Sequence, residues 1–337
     1  MKEVYPGIFL IKEKGSLGAI KPPENIYVIA GSDGIIYDAG YGTKRAVKHL
    51  VSEIKKIQLN YEEQNRDFKI NRIIVSHCHP DHFSGLKRIR EALGIKIILT
   101  KRSAEIIKTK KSFNKSFETD AYEDYMRMRK NYVRRIINGL RNIGSRIFYQ
   151  RIFGVSYIED PDEIINNNTE ISINGEIWKI FPSPGHAIDH ISLYNEDKGI
   201  LFSGDNILRT ITTWLGPPNS NIEEYIKSIE AIQDLPNLKL ILTAHGSPIE
   251  NPKDRITEIL SHRKNREKQV LNIIYDNREN GISPKSIIKS IYPNNSRFLH
   301  QVARGWIVLT LKMLEEKKLI QRQETKKNIL FFPANKS

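Results

Sequence analysis

The stretch INRIIVSHCHPDHFSGLKRIREALGIKIILT, Ile70 to Thr100, limits the folds open to this chain more than any other. It begins with an apolar run of the kind found in a buried strand, which leads into a loop holding His77, His79, Asp81 and His82. A helical stretch, SGLKRIREAL, and a second apolar run, IKIILT, follow. Strand, chemistry-bearing loop, helix and strand in that order specify an α/β arrangement with a site at the carboxyl end of a strand. Strand side chains alternate, so if His77 and His79 share the functional face, Cys78 between them turns away from it. Cys78 is therefore expected to be a small buried residue.

The rest of the first 250 residues repeats this alternation. IYVIAGSDGIIYDAG, from Ile26, reads as two strands about a tight turn at Gly31 to Gly34. GTKRAVKHLVSEIKKIQL sets Ala46, Leu50, Ile54 and Ile57 on one helical face. Strand signals return in EISINGEIWKIFPSPG, turning at Asn174-Gly175, and continue through HISLYNEDKGILFSGD and LKLILTAHG. NIEEYIKSIEAIQDL supplies a helix before the last of them. Three of these segments carry a further ligand-type residue beside a strand and near glycine: His186, Asp205 and His245. With His77, His79, Asp81 and His82 they make seven candidates on one side of a two-sheet sandwich. Imidazole and carboxylate suit zinc and neighbouring divalent ions. His49, His262 and His300 have no ligand-like context, and His190, four residues after His186, is a candidate hydrogen-bond donor to the site or an ordinary buried histidine.

A length of 337 residues exceeds what one core usually supports, so two domains are expected: residues 1–250, with a basic helical insertion at about 101–150, and residues 251–337. With 39% apolar and 27% charged residues the chain reads as a folded, non-membrane protein, and no apolar run is long enough to span a bilayer. The first twenty residues lack a signal-peptide pattern and one cysteine excludes an intramolecular disulfide, so the cytoplasm is the expected compartment. Basic residues outnumber acidic ones thirteen to five over 101–150 and eighteen to eight over 251–337, whereas 151–250 is acidic. That distribution fits an anionic substrate such as RNA or a phosphate-bearing coenzyme ester, or a lysine-rich composition with solvated faces. Arg127, Arg129, Lys130, Arg134 and Arg135 lie on an amphipathic stretch that reads as a helix on the rim of the site or as a lid.

In order along the chain, YDAG, HxHxDH, PGH, SGD and a strand ending in HG resemble the metallo-β-lactamase superfamily of binuclear metal hydrolases, over about residues 20–250. The resemblance implies an α/β fold, an αββα sandwich. It also implies that His77, His79 and His186 bind one ion, that Asp81, His82 and His245 bind the other, and that Asp205 bridges them. Such ions lie about 3.5–4 Å apart and share a hydroxide that serves as nucleophile. Zinc is the first candidate, with manganese or iron as alternatives. Asp81 is expected to orient the nucleophile and take a proton, His190 to assist catalysis, and Asp38 to hold a ligand histidine or its loop.

Three helical segments and a terminal hairpin after residue 251 resemble a winged-helix module, and the whole is similar to the branch related to hydroxyacylglutathione hydrolases. This implies hydrolysis of a thioester or related ester, such as an acyl-CoA or acyl-carrier conjugate. ILRTITTWLGPP, Ile207 to Pro218, offers an apolar wall for an acyl group. The alternatives are a metal-dependent endoribonuclease acting on single-stranded RNA and a nucleic-acid-binding regulator. The C-terminal module would cap the site or form the contact of a homodimer.

Overall fold

The computed structural model describes residues 1–13, 21–126, 151–166, 168–294, 297–324 and 328–334. Two sheets face one another. The first has seven strands in sequence order: β1 (Lys2–Tyr5), β2 (Ile8–Glu13), β3 (Glu24–Ile29), β4 (Gly34–Tyr37), β5 (Ile70–Ile74), β6 (Lys96–Thr100) and β7 (Glu163–Ile165). It is antiparallel from β1 to β4 and parallel from β4 to β7. The second sheet runs β12-β11-β10-β9-β8, from β8 (Thr169–Ile173), β9 (Glu176–Pro182), β10 (Ile191–Asn195), β11 (Ile200–Gly204) and β12 (Leu240–Thr243). Only its β11–β12 pair is parallel.

Strand alternation builds the layers. In β2, Ile8 and Leu10 enter the core between the sheets, where Tyr27, Tyr37 and Ile74 meet Trp178, Leu193 and Phe202. Phe9 and Ile11, their neighbours, face the other way and pack under Leu50, Ile54 and Ile57 of the helix Lys44–Glu63 and Leu86 and Ile89 of Leu86–Leu93. Thr43 caps the first of these helices by accepting from the Ala46 amide. Each such aliphatic side chain withdrawn from water contributes about 1.5–3 kcal/mol. On the far side, Tyr194, Leu201 and Ile241 of the second sheet join Tyr225 and Ile229 of the helix Ile222–Gln233. That cluster continues into Ile256, Ile259, Ile307 and Leu311 of the helices Pro252–Asp276 and Arg297–Glu316. The architecture is thus an αββα sandwich followed by a distinct C-terminal helical region, as the sequence implied.

That region also holds the helix Pro284–Ile291 and the antiparallel pair β13 (Ile320–Glu324) and β14 (Ile329–Pro333). The described part of the basic segment forms three short helices, Lys101–Ile107, Lys110–Ser116 and Ala121–Met126. Arg127, Arg129, Lys130, Arg134 and Arg135, and with them the rim-or-lid expectation, lie outside the described residues. Among the described residues no helix is long and apolar enough to cross a membrane.

Candidate metal centre

The ends of β5, β9, β11 and β12 open at one edge of the sandwich, and their loops bring all seven sequence candidates together. Two groups form: His77, His79, His186 and Asp205 in one, and Asp81, His82 and His245 in the other, joined there by Glu24. In the first group His186 Nε2 lies 3.0 Å from His79 Nδ1 and 3.4 Å from Asp205 Oδ2. In the second, His245 Nε2 lies 3.7 Å from Asp81 Oδ2 and 3.3 Å from Asp205 Oδ1. His82 Nε2 is 3.9 Å from Asp81 Oδ1 and 3.8 Å from Asp205 Oδ2. Asp205 therefore offers an oxygen to each group.

Hydrogen bonds behind the histidines decide which nitrogen faces the site. The Trp214 carbonyl, 2.9 Å from His186 Nδ1, can only accept, so Nδ1 carries the proton and Nε2 presents its lone pair. The Pro23 carbonyl, 2.7 Å from His245 Nδ1, does the same for His245. Asp38 serves His82, with Oδ2 3.1 Å from Nδ1, and accepts the Ser76 amide at 2.7 Å and the Ser76 hydroxyl at 3.1 Å. That hydroxyl oxygen lies 3.0 Å from His77 Nδ1. Asp38 itself sits at φ 67°, a left-handed conformation that Asp tolerates better than most residues.

Burial and neighbouring charge prepare the donors. Burial pushes His77 well below the usual imidazole range, lowers His79 and brings His186 to about 4, so all three are neutral near pH 7, as ligation requires. Burial opposes ionisation of Asp205, but His245 and His82 outweigh it and hold the carboxyl well below its ordinary range. Among the buried atoms without a hydrogen-bond partner are His77 Nε2, His82 Nε2, Asp205 Oδ1 and both oxygens of Glu24. Leaving a buried polar atom unpaired costs about 1–3 kcal/mol, so this concentration of orphaned donors fits a pair of divalent cations.

His190 does not face the opening. Its Nε2 accepts the Asp205 amide at 3.2 Å, and its Nδ1 lies 2.9 Å from Ser183 Oγ. It packs against Gly204, where a β-carbon would come within 2.5 Å of Nε2, so the glycine of SGD lets this ring reach the Asp205 backbone. Cys78 is buried with its thiol directed to the Ser103 carbonyl at 3.6 Å, and burial, with Asp189, pushes its pKa well up. Sequence reasoning missed Glu24. Nothing in PPENIYVIA distinguishes a surface residue ahead of a strand from one delivered to the site. Delivery depends on Asn25, whose side chain donates to Thr243 O at 2.8 Å and Gly246 O at 3.0 Å and so ties the start of β3 to the His245 loop.

Comparison with known proteins agrees with this fold. A nematode relative, the β-lactamase-like protein 2 homolog of Caenorhabditis elegans, is 23% identical over 291 residues, covering 86% of this chain and 78% of its own. An atrochrysone carboxyl ACP thioesterase of Aspergillus fumigatus is 23% identical over 249 residues, 73% of this chain, which spans 58% of that protein. A β-lactamase domain protein from Burkholderia ambifaria superposes with a TM-score of 0.75 at 18% identity, covering 99% of this chain and 93% of the other. A metallo-β-lactamase family protein from Thermus thermophilus gives 0.74 at 16%, covering 98% and 100%. These two structures share the fold across both the sandwich and the C-terminal region. The profile of the metallo-β-lactamase superfamily matches residues 21–245, and with two ligand clusters set in that fold, the chain belongs to this superfamily as a metal-dependent hydrolase.

Proposed function

We propose that the protein hydrolyses a thioester or related ester, such as an acyl-CoA or acyl-carrier conjugate, using two divalent ions, zinc first and manganese or iron as alternatives. The observation that carries the two-ion part is Asp205, with Oδ2 3.4 Å from His186 Nε2 and Oδ1 3.3 Å from His245 Nε2. On this reading His77, His79 and His186 hold one ion, Asp81, His82 and His245 hold the other, and Asp205 spans them. When bound, such ions supply Lewis acidity at the scissile carbonyl and an activated water. Asp81, its side chain 17% exposed, orients the attacking water and accepts its proton. His190 acts through Asp205, holding that carboxylate's backbone in register. Asp38 keeps His77 and His82 in the tautomer that leaves Nε2 free.

An apolar rim supports an acyl substrate. Ile188, Ile211 and Trp214 are large hydrophobic residues left exposed on segments that follow His186 and Asp205, and the Phe117 ring lies 6.0 Å from that of His79. The Aspergillus relative, an ACP thioesterase by name, supports the same class. The C-terminal region, three helices with a hairpin, is read as a winged-helix-like domain from about residue 251, packed behind the loop that carries Trp214. The whole is assigned to the branch related to hydroxyacylglutathione hydrolases, in the cytoplasm, with a homodimer as its candidate assembly.

The test is a metal-defined activity panel of a short acyl-CoA, a hydroxyacylglutathione and labelled single-stranded RNA, with Asp205→Ala as control. Thioester turnover that disappears in Asp205→Ala is expected. RNA cleavage without thioester turnover would overturn the substrate class in favour of the endoribonuclease. Sequence-selective duplex binding that survives Asp81→Ala, without hydrolysis of any substrate, would favour the regulator.

A further inference from the structure

Glu24 is fully buried at the first position of β3, and neither of its carboxylate oxygens has a hydrogen-bond partner among the described residues. Oε1 lies 3.3 Å from His82 Nδ1 without the alignment of a hydrogen bond, and Asp38 Oδ2 already serves that nitrogen at 3.1 Å. Fixing His82 therefore does not need Glu24. Oε2 lies 3.3 Å from His245 Nε2, the nitrogen that faces the site because Nδ1 donates to Pro23 O. Asp205 Oδ1 at 3.3 Å and Asp81 Oδ2 at 3.7 Å approach the same nitrogen. Three carboxyl oxygens thus crowd one imidazole nitrogen, an arrangement that a metal cation among them relieves, as would protons held on Glu24 or His245.

We propose that Glu24 is a direct ligand of the ion held by Asp81, His82 and His245, and that its carboxylate makes this the harder of two unequal sites, shifted toward Mn(II) relative to Zn(II). The inference rests on the two-ion reading above. The first group offers three imidazoles and the shared Asp205. The second offers two imidazoles and the carboxyls of Glu24 and Asp81, with Asp205 Oδ1 3.3 Å from His245 Nε2. Thiolate-free imidazole sites suit zinc, whereas added carboxylate oxygens suit manganese, so relative preference follows the ligand count. Glu24 also couples the pair of sheets to the metal: β3 belongs to the first sheet, and His245 follows β12 of the second.

The test is equilibrium dialysis of the full chain against buffered Mn(II) or Zn(II), with metal content read by mass spectrometry, for the unaltered protein, Glu24→Gln, Glu24→Asp and Asp205→Asn. The unaltered protein is expected to take two ions. Glu24→Gln is expected to keep one tight ion while its second Mn(II) site weakens by about tenfold or more and its second Zn(II) site changes by less. Glu24→Asp, which keeps the carboxylate on a shorter stem, is expected to fall between and serves if Glu24→Gln does not fold. Equal weakening for both metals would make Glu24 a positioning residue, and no change for either would leave it paired with a protonated His245; each result overturns the proposal. Uptake of fewer than two ions by the unaltered protein, or two tight ions in Asp205→Asn, would instead overturn the two-ion reading.

Discussion

The carbonyl of Trp214 lies 2.9 Å from Nδ1 of His186, and the indole of the same tryptophan donates from Nε1 to the Val302 carbonyl at 3.3 Å. One residue thus links a candidate metal ligand to the helix Arg297–Glu316. Two arginines of the preceding long helix, Pro252–Asp276, hold the same loop. Arg255 donates to Leu208 O at 2.7 Å and Ile211 O at 2.8 Å, and Arg263 donates to Thr213 O. The C-terminal helices therefore support the segment between Asp205 and Trp214 from behind.

Gly305 permits that contact. A β-carbon there would stand 2.7 Å from Leu215 O and 3.0 Å from the Gly216 α-carbon, both backbone atoms that cannot simply rotate away. Gly305→Ala is expected to cost about 1–3 kcal/mol through overpacking. By displacing the Trp214 carbonyl it should also weaken the His186 site. Thermal unfolding with and without added metal checks both, and an unchanged metal-induced shift would show that the helix does not reach His186.

Asp38 aligns His82 directly and His77 through Ser76. Asp38→Asn keeps a residue that tolerates positive φ but removes the carboxylate that fixes the tautomers. Metal affinity is expected to fall about 10- to 100-fold, with activity following it, and the metal-free protein should lose about 1–3 kcal/mol because the new amide nitrogen faces groups that need an acceptor. Competition with a chelator of known affinity measures the first effect.

Cys78 is buried, with a thiol pKa pushed well up, and so should be nearly inert in the native state. A thiol reagent is expected to modify it at the rate of unfolding, and Cys78→Ala should retain metal binding and turnover. Rapid native-state labelling that abolishes hydrolysis would restore the thiol to the mechanism.

Glu53 lies remote from the site, bonded to Lys56 Nζ at 2.5 Å and to the Met1 ammonium. These bonds lower its carboxyl from 4.5 to about 2. A folded pKa below the unfolded value means stability that is present above about pH 4.5 and is lost as pH falls toward about 2. Glu53→Gln should lower stability above about pH 4.5 and flatten the acid limb, so that the two proteins converge as pH falls toward about 2, as denaturant melts at several pH values would record.

The layers and the seven candidate ligands were legible in the sequence. Ile8, Phe9, Leu10 and Ile11 take opposite faces because strand side chains alternate; Cys78 lies in the loop beyond the end of β5 and is turned from the site while His77 and His79 enter it. His186, Asp205 and His245 were legible because each ends or follows an apolar run beside a glycine. Tertiary structure alone decided that Glu24 joins them, that His190 holds the Asp205 backbone, and that Val302 and Gly305 support the loop behind His186. Local periodicity records which face a side chain takes on its own backbone. The distant group it meets is set by sheet register and by bonds such as Asn25 to Thr243, and no short stretch of sequence encodes them.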